Sequence, residues 1–361
     1  MILIYSANTV CDKLFNILRC DCLDANYQCG GEITNSDCLI IVGEGLKQLN
    51  LSAKTNDKLA NFYISTGVNE FVATANSKLP LNFSFETYNE DVMLIGDVDG
   101  RLIITLPQNV KAQEYFYQTF IKKILLPRYG IAEISYFKLF GLTKQEVESK
   151  LSGLACKDVI INTYTNYLDT LLSIAFTFKI TTSTKDVIIS KVVKQFEEIY
   201  CLENRSLQSV AVNLLTLKGK LLSLAESVTG GLIASSIVEI SGASKVLTEG
   251  LVTYSNKAKH DRLDVSNRDL LTYSAVSTQV AEQMASGLMT NSNCDYALSI
   301  TGYAEMQNNI DLLQGLCYIC ITNKSGKKQV YNITHNGDRN TIRKKMANTA
   351  LFLLIKYIKI F

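Results

Sequence analysis

Leu221-Leu222-Ser223-Leu224-Ala225-Glu226-Ser227-Val228-Thr229-Gly230-Gly231 is the stretch on which the reading of the chain turns. Leu221 to Ala225 reads as a buried strand, and Glu226 to Gly231 as a turn rich in hydroxyls and glycine. The segment after it reads as a helix in which apolar Ile233, Ile237 and Ile240 alternate with small Ala234, Ser235 and Ser236. Small residues let such a helix lie close on a sheet, and a strand entering a helix through a glycine turn is a building unit of α/β folds. Working outward, Leu207, Val210, Leu214 and Leu217 predict a helix upstream. Downstream come a strand from Leu251 to Tyr254, a helix carrying Val280, Met284 and Leu288, strands at Tyr296 to Ile300, Leu316 to Thr322 and Val330 to Thr334, and a last helix. Residues 206–361 are therefore expected to form a three-layer α/β domain with a mixed sheet.

The N-terminal half has its own pattern. A strand at Ile2 to Tyr5, a helix around Asp12 to Leu18 and a strand at Cys38 to Val42 make a βαβ beginning. A strand from Leu102 to Leu106 runs into Pro107, and a helix with Tyr115, Phe116, Phe120 and Ile124 on one side is expected to stop at Pro127. Residues 1–127 thus form a reduced α/β domain. Residues 128–205 alternate short apolar runs, Tyr136 to Phe140, Val159 to Asn162 and Leu171 to Phe178, with a helix around Val187 to Tyr200, which reads as a small α+β domain.

The 361 residues, 47% hydrophobic and 19% charged, exclude a disordered chain and suit two or three globular domains. Lys and Arg total 36 against 34 Asp and Glu, a net charge of +2 that gives nucleic acid or an anionic membrane no general attraction. Neither a signal-peptide pattern nor an apolar run long enough for a span occurs, so a cytoplasmic location is expected, and the apolar tail from Ala350, broken by Lys356 and Lys359, reads as a core helix. The ten cysteines are expected to be reduced. Cys20, Cys22, Cys29 and Cys38 lack a CxxC pair, the two histidines are distant in sequence, and no metal site is expected. Cys317 and Cys320 have CxxC spacing, but on a strand they face opposite sides and read as buried thiols.

The turn Ala225 to Gly231 offers backbone N–H groups at a helix start, a corner suited to an anion. Ser244, after Ser241-Gly242-Ala243, presents a hydroxyl beyond the helix end. Tyr254 leaves a strand and Lys259 lies about one turn into the next helix, so both could converge on one pocket. A serine hydroxyl becomes a nucleophile when a base takes its proton, and either a lysine desolvated to a low pKa or a lysine-polarised tyrosine can serve. With only His260 and His335 available, a serine–histidine–carboxylate triad has few options.

The order AESVTGG, GAS, GLVTYSNKAK, AVSTQVAEQMA, SITGYA, QGL and GDRNTIRKKM, across residues 206 to 358, resembles the C-terminal amidohydrolase domain of the competence/damage-inducible protein CinA family. The resemblance implies deamidation of nicotinamide mononucleotide to nicotinate mononucleotide and ammonia. It places Ser244 as the attacking residue, with Lys259 and Tyr254 moving its proton. Ser227, Thr229, Gly230, Gly231, Thr301 and Arg339 are implied to hold substrate, the Arg339 guanidinium meeting the phosphate. No cofactor is required, and the expected partners are a small nucleotide and a second copy of the chain in a homodimer. Upstream, residues 1–127 resemble a degenerate form of the family's molybdopterin-binding-like domain. The family's Gly-Asp-Glu-Leu-Leu is replaced by Ser6 to Val10 and its glycine-rich acidic stretch by Gly43 to Lys47, and Glu305 to Asn309 stand where the C-terminal domain has a glycine run. The alternative reading is a catalytically weak nucleotide-binding or competence-associated scaffold protein.

Overall fold

The structure, a computed structural model, describes residues 1–6, 12–29, 36–43, 49–50, 61–62, 83–89, 91–98, 100–305 and 314–360. The substituted stretches at Ser6 to Val10, Gly43 to Lys47 and Glu305 to Asn309 lie mostly outside the described residues. The chain divides into two compact units, residues 1–135, 151–163 and 172–191 in the first and residues 136–150, 164–171 and 192–361 in the second. The boundaries at 127/128 and 205/206 remain expectations of the sequence.

In the first unit a six-stranded sheet runs in the order Ala25–Cys29, Ile2–Ser6, Cys38–Val42, Arg101–Leu106, Asp91–Val98 and Phe83–Tyr88. The first four strands are parallel and the last two pairings antiparallel. Cys38–Val42 is buried at all five positions, as befits a central parallel strand covered on both faces. The helix expected to stop at Pro127 ends at Arg128, after a π-helical stretch Tyr117–Ile121 that links its two α-helical parts.

The second unit carries a five-stranded sheet in the order Leu247–Val252, Leu222–Glu226, Tyr296–Gly302, Leu316–Asn323 and Lys328–Thr334. The first three strands are parallel and the remaining pairings antiparallel, which makes the sheet mixed. Strand alternation sorts the side chains into two layers. Leu222, Leu224, Leu298, Ile300, Cys317 and Ile319 pack with the helices Leu207–Lys218, Leu232–Val238 and Arg339–Ile360. Ala225 and Ala297, with Cys320 beyond them, face the helices Asn256–Leu263 and Thr278–Asn291. Small residues dominate that second face, where the Ser299 hydroxyl donates to the Ala281 carbonyl at 2.6 Å and the helix sits close. The close approach expected of the helix after Gly231 is also present: a Cβ on Gly250 would stand 2.8 Å from the Ala234 methyl. Cys317 and Cys320 lie on opposite faces, both buried, and burial pushes each thiol up to about 12.

Three sequence expectations shift: the strand expected at Leu251 to Tyr254 is Leu247–Val252, which leaves Tyr254 beyond its end, and two helices differ. Leu217 is 75% exposed, because the buried face of its helix follows Leu207, Val210, Ala211 and Leu215 at three- and four-residue spacing. The helix placed at Val187 to Tyr200 is Thr182–Gln195, and Tyr200 lies in the short strand Ile199–Cys201. From the strand Leu222–Glu226 the chain goes first to one neighbour, Leu247–Val252, and then to the other, Tyr296–Gly302. The carboxyl end of Leu222–Glu226 is thus a topological switch point, where connections diverge and open α/β sheets leave a crevice.

Candidate active site

Ser227 is the first residue beyond that strand end. Its N–H donates to the Ile300 carbonyl at 3.0 Å, and the Thr253 N–H donates to the Glu226 carbonyl at 2.8 Å, so the ladder extends past the strands on both sides. Ser227 is held between the ends of its two neighbours, only 7% exposed.

Lys259 comes to it from the helix Asn256–Leu263, whose start is fixed by the Ser255 hydroxyl accepting from the Ala258 N–H at 3.1 Å. The Lys259 side chain is 1% exposed. Its Nζ donates to Ser227 Oγ at 2.9 Å, to the Thr253 carbonyl at 2.8 Å and to the Tyr254 carbonyl at 3.2 Å. Burial, with no carboxylate to offset it, lowers its pKa to about 8. The geometry satisfies both protonation states. An ammonium fills all three acceptors, whereas a neutral amine keeps two N–H bonds to the carbonyls and turns its lone pair to the Ser227 hydroxyl.

The corner expected to receive an anion holds one already, from its own chain. Glu226, 1% exposed, accepts at Oε2 from the N–H groups of Gly231 at 3.0 Å and Ile233 at 3.2 Å, and at Oε1 from Ala234 at 2.8 Å. The carboxylate satisfies the unpaired donors and the dipole of the helix Leu232–Val238, so these groups are not open to substrate. Gly230 and Gly231, with φ of +60° and +93°, supply the left-handed turn that brings the helix start back over Glu226.

Ser244 is not brought to Lys259. It lies exposed in the 3₁₀ turn Ala243–Lys245, just before the strand Leu247–Val252, at the amino ends of the parallel strands, where the Leu222 N–H donates to the Val246 carbonyl. Ser227 stands at the carboxyl ends, and this is the serine the lysine reaches. Tyr254 contributes its backbone carbonyl to Lys259, while its ring is 62% exposed and its hydroxyl accepts from Arg339 Nη2 at 3.3 Å. Arg339 also pairs with Glu305, Nη1 to Oε2 at 3.1 Å. Thr301 is buried next to Ser227's backbone partner Ile300, and its hydroxyl donates to the Ala275 carbonyl at 2.8 Å. Thr229 is fully buried. Its hydroxyl and that of Thr253 have no hydrogen-bond partner among the described residues.

Three participants escaped the sequence reading in these roles: Glu226 as the cap, the Thr253 carbonyl as an acceptor for the lysine amine, and Arg343. Arg343 Nε donates to the Val228 carbonyl at 3.1 Å and Nη2 to the Thr229 carbonyl at 2.7 Å. An acidic residue at a strand end before Gly-Gly was a legible signal for the first, whereas backbone contacts of Thr253 and Arg343 leave no mark in residue type. The histidines act elsewhere. His260 Nδ1 pairs with the Val265 carbonyl at 2.9 Å, and His335, lowered to about 4 by burial and the Lys345 charge, pairs through Nε2 with the Thr349 hydroxyl at 3.0 Å. Among the described residues no cluster of three or more metal-ligating side chains occurs, and no helix is long and apolar enough to cross a membrane.

An α/β domain with a buried serine–lysine pair at its switch point is the class that fold and site define. A sequence model of the CinA C-terminal domain matches residues 204–358. A CinA-like protein of Kosmotoga olearia is 34% identical over 266 residues, covering 70% of this chain and 63% of that protein. One of Endomicrobium trichonymphae is 33% identical over 322 residues, covering 83% of this chain and 72% of the relative. The chain belongs to the CinA family. It spans 63 to 65% of the length of several of the relatives it matches. Among solved structures, a competence/damage inducible protein, CihA, from Agrobacterium tumefaciens is 35% identical, with a TM-score of 0.41 over 43% of this chain and 98% of that one.

Proposed function

We propose that the second unit is an amidohydrolase that converts nicotinamide mononucleotide to nicotinate mononucleotide and ammonia, with Ser227 as the attacking residue. The observation that carries the reaction class is the buried Lys259 amine 2.9 Å from the Ser227 hydroxyl. At its lowered pKa the neutral amine takes the hydroxyl proton as Ser227 Oγ bonds to the carboxamide carbon. The ammonium so formed returns the proton to the departing nitrogen, and ammonia leaves. Water then cleaves the resulting ester, its proton passing to Lys259 and on to Ser227 Oγ. The choice of nicotinamide mononucleotide rests on the resemblance of the ordered motifs, supported by membership of the CinA family.

The test is ammonia release from nicotinamide mononucleotide by the purified chain and by Ser227→Ala. Release by the parent and none by the variant supports the reading, and equal release by both would overturn it. One observation favours the weaker, ligand-binding alternative: Glu305 already pairs with Arg339, the cation expected to meet the phosphate. Binding of the mononucleotide without turnover would establish that alternative.

A further inference from the structure

The peptide units after Ser227 are gripped from one side. The Ser227 carbonyl accepts from the Gly230 N–H at 3.1 Å, the Val228 carbonyl from Arg343 Nε at 3.1 Å, and the Thr229 carbonyl from Arg343 Nη2 at 2.7 Å. In a trans peptide the C=O and the next N–H point in opposite directions. The N–H of Val228 is therefore directed away from the Ser227 carbonyl and its Gly230 partner, and the N–H of Thr229 away from Arg343. Neither N–H has a hydrogen-bond partner among the described residues. Two adjacent donors that follow directly on a nucleophile are the arrangement that stabilises the oxyanion of acyl transfer. The helix-start donors of Gly231, Ile233 and Ala234, the other candidates, are spent on Glu226.

We propose that Arg343 is a positioning residue for the hydrolysis: its guanidinium fork holds the Val228 carbonyl, which fixes the Thr229 N–H of the same peptide, and the Thr229 carbonyl, whose peptide carries the Gly230 N–H that holds the Ser227 carbonyl and with it the Val228 N–H, so that the Val228 and Thr229 N–H groups form the oxyanion hole. This rests on Ser227 being the attacking group. The planar fork suits two neighbouring carbonyls, which a lysine's single nitrogen cannot hold in the same geometry. Its charge at the carbonyl end of the 228–229 peptide also polarises that peptide, strengthening the N–H at the other end. Gly230 fits the clamp as well, since a Cβ there would come 3.2 Å from Arg343 Nη2 at a φ of +60°.

The experiment uses the full chain and two readouts, deamidation kinetics and labelling of Ser227 by a fluorophosphonate. In the labelling Ser227 Oγ bonds to phosphorus, fluoride leaves, the hydroxyl proton goes to Lys259, and the P=O oxygen sits where the oxyanion would. Arg343→Met should lower kcat and the labelling rate by about a hundredfold, with KM within about threefold of the parent and an unchanged pH midpoint. Arg343→Lys should fall between, and Gly230→Ala, which disturbs the clamp from the other partner, should share the loss of kcat. A folded Arg343→Met that keeps its labelling rate within about threefold, or that loses only KM, overturns the assignment. Labelling of the parent without deamidation would defeat the proposed reaction while leaving the labelling comparison to decide on Arg343. A parent that is neither labelled nor active would overturn both.

Discussion

Ser227 and Ser244 stand at opposite ends of the same parallel strands. The five residues Leu222–Glu226 separate these ends by about 16 Å at about 3.3 Å per residue. Ser227 follows a strand and opens the turn into a helix, Ser244 lies between that helix and the next strand, and in sequence Ser244 is nearer to Lys259. The difference is what each hydroxyl meets. Ser244 faces solvent from a 3₁₀ turn, whereas Ser227 is buried against a lysine whose remaining donors are absorbed by two carbonyls. A serine becomes a nucleophile through the base that the fold brings to it, and the carboxyl ends of the strands are where this sheet brings a lysine to a serine.

The comparison breaks most sharply on the serines themselves. Ser227→Ala should reduce deamidation by about 10³-fold or more, and Ser244→Ala should leave it within about twofold. A steady-state ammonia assay that showed the reverse would return the chemistry to the amino ends of the strands.

Lys259→Met should cost nearly as much as loss of Ser227. In the parent, kcat should rise with pH through about 8 as the ammonium gives up its proton, and the variant's residual rate should lack that limb. The same group leaves a mark on stability. Because its pKa when folded lies below the unfolded 10.5, the unfolded chain binds the extra proton between pH 10.5 and 8, and stability falls as pH drops through that window. The shift corresponds to about 3 kcal/mol, which Lys259→Met should remove, as denaturant titrations of both proteins at pH 7 and pH 10 would show.

The smallest effect is expected at the rim. Glu305→Gln frees Arg339 from an exposed ion pair, which is worth little in water, so affinity for the phosphorylated nucleotide should improve by about two- to fivefold. The phosphate-free riboside should show no change. Equal gains on both ligands in a calorimetric titration would mean that Arg339 does not meet the phosphate.

Much of this was legible in the residues. The alternation of Leu222 and Leu224 with small Ser223 and Ala225, the Gly230-Gly231 turn and the small face of the following helix specified a strand–turn–helix packed closely in an α/β domain, and Lys259 was visible as a lysine one turn into a helix. What was not legible depends on contacts between segments far apart in the chain. Ser227 and Lys259 are separated by 32 residues, and their pairing follows from the parallel alignment of Leu222–Glu226 with Leu247–Val252.

The sequence by itself determined the elements and the residue types available for chemistry, because side-chain periodicity and glycine turns act over a few residues. Only the tertiary structure decided which of those residues meet. Strand order set the switch point beside Ser227, burial lowered the lysine, Glu226 took the helix-start donors that a ligand was expected to use, and Arg343 gripped the turn from a helix more than a hundred residues on. Desolvation and backbone hydrogen bonding belong to the packed state, and no local pattern of residue types encodes them.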